Sequence, residues 1–288
     1  MPVGVVTDSI ADLPGETARA LRIGVVPLIL RFGNNEFRDG VDLSPEGFYR
    51  MLQERQEFPF TATPSPAAFV EACERQETSE VLIVTVSSKL SSTLQVAATA
   101  REMLAGRVRV EVLDSGTATL NEGFIVLRAA EAARAGASLA QVREAAQRAR
   151  ARVDFLCTFD TLEYLRRGGR IGAAAALLGS LLKVNPLINL RDGLVQPAGR
   201  TRSRAAAVDR LFAFAAGYSR IEELAVEHTA CPEEAEALVE RLATLHPRER
   251  IYRSTMTPVI GAHTGPGLLL VGILGDREGR PSESAATR

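Results

Sequence analysis

The chain has 288 residues, 46% apolar and 24% charged, enough for two domains and for a large core without covalent staples. Its 34 basic and 35 acidic side chains leave a net charge of −1, which argues against a protein that coats nucleic acid. That apolar content also excludes a disordered or collagen-like chain.

In chain order, Val3–Val6 predicts a strand, followed by the polar turn TDSIADLP. Val25–Phe32 predicts another. Ser44 and Ser65 each precede a proline and read as N-caps of helices that start at Pro45 and Pro66, the second running to about Gln76. Val81–Val86 is a continuous apolar run, as in a strand covered on both faces. Ser92–Leu104 reads as helix, Val108–Leu113 as strand and Gly123–Ala135 as helix; Ser138 and Gln141 form a capping box for one more. Strands separated by helices imply parallel βαβ units, so residues 1–153 read as an open, mostly parallel α/β domain.

Residues 154–288 read as an α+β domain. Val153–Phe159 is a strand, Leu162–Arg166 a short helix, GGR at 168–170 a loop and Ala173–Leu182 a helix of small residues. Arg191-Asp192-Gly193 joins Val184–Leu190 to Leu194–Gln196 as a hairpin. Helix, strand and helix follow, with Pro232 at a helix start, and Leu268–Leu274 closes the fold; the polar stretch 276–288 is expected to fray.

Cys73, Cys157 and Cys231 are far apart with no CxxC, so a disulfide framework or thiolate zinc site is not expected and a reducing compartment fits. The start MPVGVVTDSI lacks the basic region of a signal peptide. The apolar runs 173–182 and 268–274 are too short to cross about 30 Å of hydrocarbon. A cytoplasmic protein without membrane insertion, monomeric, is the expectation. GxGxxG, GxxxxGK[ST], a complete GxSxG and HExxH do not occur, and His228, His246 and His263 lack metal-ligand spacing. No nucleotide, cofactor or metal site is therefore expected.

Three features remain. Hydroxyls gather at strand–helix junctions: Thr7–Ser9, TATPSP at 61–66, SSKLSSTLQ at 87–95 and Ser115. Each alone is an ordinary helix cap, but open α/β sheets bind ligands outside the carboxyl ends of their strands, where helix starts suit an anion. His263 lies in the glycine-rich GAHTGPG, expected as a loop, where a histidine rarely serves packing. Arg166, Arg167 and Arg170 around Gly168-Gly169, with Arg200, Arg202 and Arg204, form a basic cluster fit for a phosphate or an acidic partner, or simply for solvent.

VTDSIADLP, TATPSP, SSKLSSTLQ, DTLEYLRRGGRI, LLGSLLKVNPLI and VIGAHTGPG, in this order, resemble the DegV family of bacterial fatty-acid-binding proteins. The likeness runs from about Val3 to Gly275. It implies a two-domain α/β protein that holds one long-chain fatty acid between its domains. It also implies a carrier subunit of a two-component fatty acid kinase, in which a separate ATP-binding protein converts the bound carboxylate to acyl phosphate for phospholipid synthesis. By position in the motifs, Thr61, Ser91 and His263 match head-group residues, with Ser92 beside them. Arg170 matches the arginine that faces the kinase, and Arg202 is placed with it as a docking or phosphate contact. The family commonly has TSQPSP where this chain has Ala62 and Thr63, and glycine where it has Ser92, so the finer head-group geometry is open. Ile10, Phe124, Ala174, Leu178, Leu181 and Ile188 are the expected tunnel walls. Two rival readings are a Ser91/His263 hydrolase or acyltransferase acting on a lipid-like substrate, and a nucleic-acid regulator using the arginines.

Overall fold

A computed structural model describes residues 2–54, 57–178 and 184–277. The strands before residue 150 are β1 (Val3–Asp8), β2 (Ile23–Val26), β3 (Ile29–Phe32), β4 (Asn35–Arg38), β5 (Phe60–Ala62), β6 (Glu80–Thr85) and β7 (Arg109–Asp114). Those after it are β8 (Val153–Thr158), β9 (Asn185–Arg191), β10 (Leu194–Thr201), β11 (Tyr218–His228), β12 (Ile251–Thr255) and β13 (Leu269–Arg277).

β2, β1, β6 and β7 pair in that order as a parallel sheet. Helices Pro66–Glu74 and Thr93–Met103 cover one face through Phe69, Cys73, Ala97 and Ala100. Helices Leu120–Arg134 and Leu139–Arg150 cover the other. Burial on both faces is why β6 reads as an unbroken apolar run. Helix Leu120–Arg134 is buried nearly all round because the six-stranded sheet packs on its far side, through Ala225 and Leu274. That second sheet has the order β10-β9-β8-β13-β11-β12 and is mixed, with β11 and β12 parallel and the rest antiparallel. Every strand from Val153 onward belongs to it.

The structure departs from the sequence reading in four places. The run Val25–Phe32 is two strands, broken at Pro27, whose missing N–H cannot continue a ladder. Its second part, β3, leaves the parallel sheet and forms an antiparallel sheet of order β4-β3-β5, which carries Thr61 opposite Leu30. GAHTGPG is not all loop: His263 lies in the last turn of helix Pro258–Thr264, which ends at Gly265 (φ 68°). The apolar stretch at 173 forms a 3-10 helix, Gly172–Leu177; positions 179–183, with Leu181, lie outside the described residues. Asp276 and Arg277 do not fray but pair with Arg220 and Tyr218 in β13; positions 278–288 lie outside the described residues.

The hairpin at 191–194 forms as read. Asp192 (φ 51°) and Gly193 (φ 77°) both adopt the left-handed conformation that a two-residue turn of this kind requires. Among the described residues, no helix is long and apolar enough to cross a membrane.

Candidate functional site

A cavity of about 840 Å³, its open mouth included, lies between the parallel sheet's carboxyl edge and the six-stranded sheet. Its walls are apolar: Ile10, Leu28 and Val86 from the first part, and Phe155, Cys157 and Ile188 from the second. That lining suits an apolar ligand oriented by a few polar groups. Thr61, Ser91, Arg170 and His263 are among its polar lining residues.

Strand pairing brings Thr61 there, and helix Pro258–Thr264 brings His263. Thr61 Oγ1 and His263 Nε2 are 2.8 Å apart. Burial, with the positive charge of Arg170 beside it, lowers the His263 pKa to about 4, so the ring is neutral near pH 7. Its Nδ1 is buried and has no partner among the described residues. A proton on Nδ1 would be an orphaned buried donor, which costs more than an empty acceptor site. The ring is therefore protonated on Nε2 and donates to Thr61, leaving the threonine O–H free to turn to the cavity. Nδ1 faces Gly168, where a Cβ would lie 2.5 Å from it, so glycine is needed at that position.

The helix that carries His263 is tied to the rest of the site by Asp39. This buried carboxylate accepts from Val259 N–H at 3.0 Å and from the Ser9 hydroxyl at 2.7 Å. Asp8 accepts from Ile10 and Val86 N–H groups at 3.0 and 2.9 Å, fixing two lining residues, and burial raises its pKa to about 7. Thr7 donates to Glu122 at 3.1 Å. The TDS segment thus braces the site from behind instead of facing a ligand.

Ser91 lines the cavity and pairs with the buried Thr93, Oγ to Oγ1 at 2.8 Å. Ser92, read from sequence as a head-group residue, is the exposed N-cap of helix Thr93–Met103 and lies outside the cavity wall. Arg170 is half-buried in the wall, with Nε donating to Leu90 O at 3.0 Å and Nη1 to Gly168 O at 2.6 Å. Arg202 is exposed and also outside the wall. Arg204, from the same basic cluster, is held by Glu234 and Asp160. Of the expected tunnel residues, Ile10 and Ile188 line the cavity. Phe124 does not: its helix lies between the two sheets, where it meets Tyr252 edge to face. Ala174 is buried in the cluster around the cavity, and Leu178 is 41% exposed. Among the described residues, no three His, Cys, Asp or Glu side chains are grouped to hold a metal ion.

A family model described as "Uncharacterised protein, DegV family" matches residues 2–276. The chain belongs to the DegV family. A DegV domain-containing protein of Streptomyces coelicolor is 38% identical over 274 residues, 93% of this chain and 96% of the relative. Protein DegV of Bacillus subtilis is 32% identical over 275 residues, 93% of this chain and 98% of its own. Among solved structures, a DegV family protein from Thermus thermophilus, described as binding fatty acid, superposes with a TM-score of 0.87 at 34% identity, over 96% of this chain and 100% of that one. DegV of Bacillus subtilis, described as a fatty acid binding protein, gives 0.86 at 30% identity, over 95% and 99%. The mixed α/β architecture of this DegV chain, a parallel sheet joined to a sheet-rich second part, is that of these neighbours.

Proposed function

We propose that this DegV protein holds one long-chain fatty acid in the cavity, between units 1–153 and 154–288, with the carboxylate at Thr61, Ser91 and His263. The observation that carries the reading is the apolar cavity wall with a neutral hydroxyl–imidazole pair set in it. The fatty acid binding stated for the Thermus thermophilus and Bacillus subtilis neighbours supports it.

The energetics divide between tail and head. Burying about fifteen carbons of a sixteen-carbon acid at ~0.8 kcal/mol each is a gross gain of roughly 12 kcal/mol. Lost translational freedom and chain ordering offset much of that. The tail supplies affinity and the head group sets orientation. Thr61 and Ser91 donate from neutral hydroxyls, which hold a carboxylate without locking it into a tight ion pair. Arg170 keeps two donors on the Leu90 and Gly168 carbonyls, and its remaining guanidinium hydrogens serve a more negative product.

In this reading the chain is a carrier. A separate ATP-dependent kinase, docking near Arg170 and Arg202, adds the phosphoryl group and leaves an acyl phosphate for lipid synthesis. The hydrolase alternative needs a serine activated by a base. Here the Ser91 hydroxyl is paired with Thr93 and the imidazole with Thr61, so that pairing is absent.

Protein purified from a bacterial host, extracted and measured by mass spectrometry, is expected to carry stoichiometric long-chain fatty acid. Protein that is free of lipid and ignores added fatty acids contradicts the proposal.

A further inference from the structure

Thr93 does not line the cavity, yet it controls a residue that does. Its side chain is fully buried at the first turn of helix Thr93–Met103. Its hydroxyl has one partner among the described residues, Ser91 Oγ at 2.8 Å, and its N–H also points to Ser91 Oγ at 3.3 Å.

A hydroxyl has one proton and two lone pairs. If Ser91 donated to Thr93, the Thr93 proton would be buried with no acceptor, an arrangement that proteins avoid. Thr93 is therefore the donor. Both lone pairs of Ser91 are then occupied, by the Thr93 N–H and O–H, and the Ser91 proton has only the cavity to enter. His263 imposes the same condition on Thr61, because the neutral ring has no second partner among the described residues and donates through Nε2. The mouth thus presents two hydroxyl protons, each turned outward by a donor behind it.

We propose that Thr93 is a positioning residue that fixes Ser91 as a donor, so that the mouth selects ligands whose head group accepts at both positions. This inference rests on the fatty-acid reading of the cavity. A carboxylate, acceptor-only on both oxygens, satisfies the pair. A primary amide places N–H hydrogens against one of the outward protons, and a site built from unpaired polar groups rejects such a mismatch strongly. A donor backed by another donor is also the stronger one, since chained hydrogen bonds polarise one another.

The test compares hexadecanoate with hexadecanamide by titration calorimetry on the delipidated full chain. Thr93→Val is expected to weaken hexadecanoate by about tenfold while leaving the amide nearly unchanged, so the acid-to-amide ratio shrinks. Thr93→Ser, which keeps the hydroxyl, restores the ratio. In a Ser91→Ala background, Thr93→Val has no further effect on the ratio. If the valine is not tolerated, Thr93→Ala is read the same way. Equal weakening of both ligands, or an unchanged ratio, overturns the role of Thr93. A parent protein that binds neither ligand contradicts the fatty-acid reading itself.

Discussion

Thr61 Oγ1 lies 2.8 Å from His263 Nε2 across a sequence separation of 202 residues. One residue comes from an antiparallel strand, the other from a short helix before the last strand, and both line the cavity. With the imidazole as donor, the threonine is an oriented hydroxyl.

Removing either member should therefore cost the same interaction. Thr61→Val and His263→Ala are each expected to weaken fatty acid binding by about tenfold, and the double variant by little more than either single one. A fluorescent fatty acid displacement assay measures this. Independent, multiplicative losses would show that the two do not act as a unit.

Gly168 guards the ring. A Cβ at 168 would sit 2.5 Å from His263 Nδ1, so Gly168→Ala displaces the imidazole from Thr61. Loss of affinity comparable to His263→Ala, with a thermal midpoint near that of the parent, is the expected result. The histidine ¹⁵N spectrum should report the changed ring environment directly; an unchanged spectrum and affinity would contradict the packing argument.

Stability should fall as pH rises from about 5 to about 8. Burial raises the pKa values of Asp8, Asp39 and Glu227 to about 7, 6 and 7, and pushes Asp12 and Glu122 up as well. Between the unfolded value near 4 and these folded values, the native state holds protons that the unfolded chain has released, so each step up in pH removes stability. Burial lowers the imidazoles of His228, His246 and His263, which acts in the opposite sense, with stability lost as pH falls toward about 4. The buried acids outnumber them. Glu227→Gln keeps the acceptor for Leu120 N–H and removes the charge, so its gain over the parent should be larger at pH 8 than at pH 5 by on the order of 1–3 kcal/mol. Thermal melts at the two pH values check it, and an equal offset at both would contradict the assignment.

Cys157 lies in the apolar wall, with its thiol donating to Ile188 O at 3.3 Å and its pKa raised by burial. Cys157→Phe fills part of the cavity at an overpacking cost of about 1–3 kcal/mol. The protein is expected to fold, and to co-purify with shorter acyl chains or none. Mass spectrometry of the extracted lipid gives the answer, and an unaltered lipid profile would place the tail elsewhere.

Much of this architecture was legible because local signals agreed with the global fold. The buried runs of β1 and β6, the serine caps at Ser44 and Ser65, the Ser138 capping box and the Asp192-Gly193 turn all read correctly. Pro27 was the available sign that Val25–Phe32 is broken, yet a proline near a strand end also fits an edge strand. The antiparallel sheet that delivers Thr61 was only partly signalled: β3 and β4 are a local hairpin turning at Gly33-Asn34, a signal the sequence reading missed, whereas β5 joins β3 through a long-range contact that no local pattern marks. At the site, motif likeness singled out Thr61, Ser91, His263 and Arg170, all of which line the cavity. Ser92, its neighbour in the same motif, is exposed and outside the wall, because adjacent residues at a helix start point in different directions and sequence does not say which. Asp39 escaped notice, and Thr93, inside the hydroxyl stretch 87–95, was given no role of its own, for a related reason. They touch the groups that line the cavity, and no spacing rule marks such a residue. Phe124 looked like a tunnel wall because apolarity alone does not separate a ligand-facing side chain from one held between two sheets.

The most direct test is a crystal structure of the chain with hexadecanoate. The account predicts continuous density for the acyl chain along Ile10, Phe155, Cys157 and Ile188, with the carboxylate in hydrogen-bonding reach of Thr61 Oγ1 and Ser91 Oγ. A cavity packed shut with the acid bound elsewhere, or a carboxylate at the end remote from His263, would contradict it.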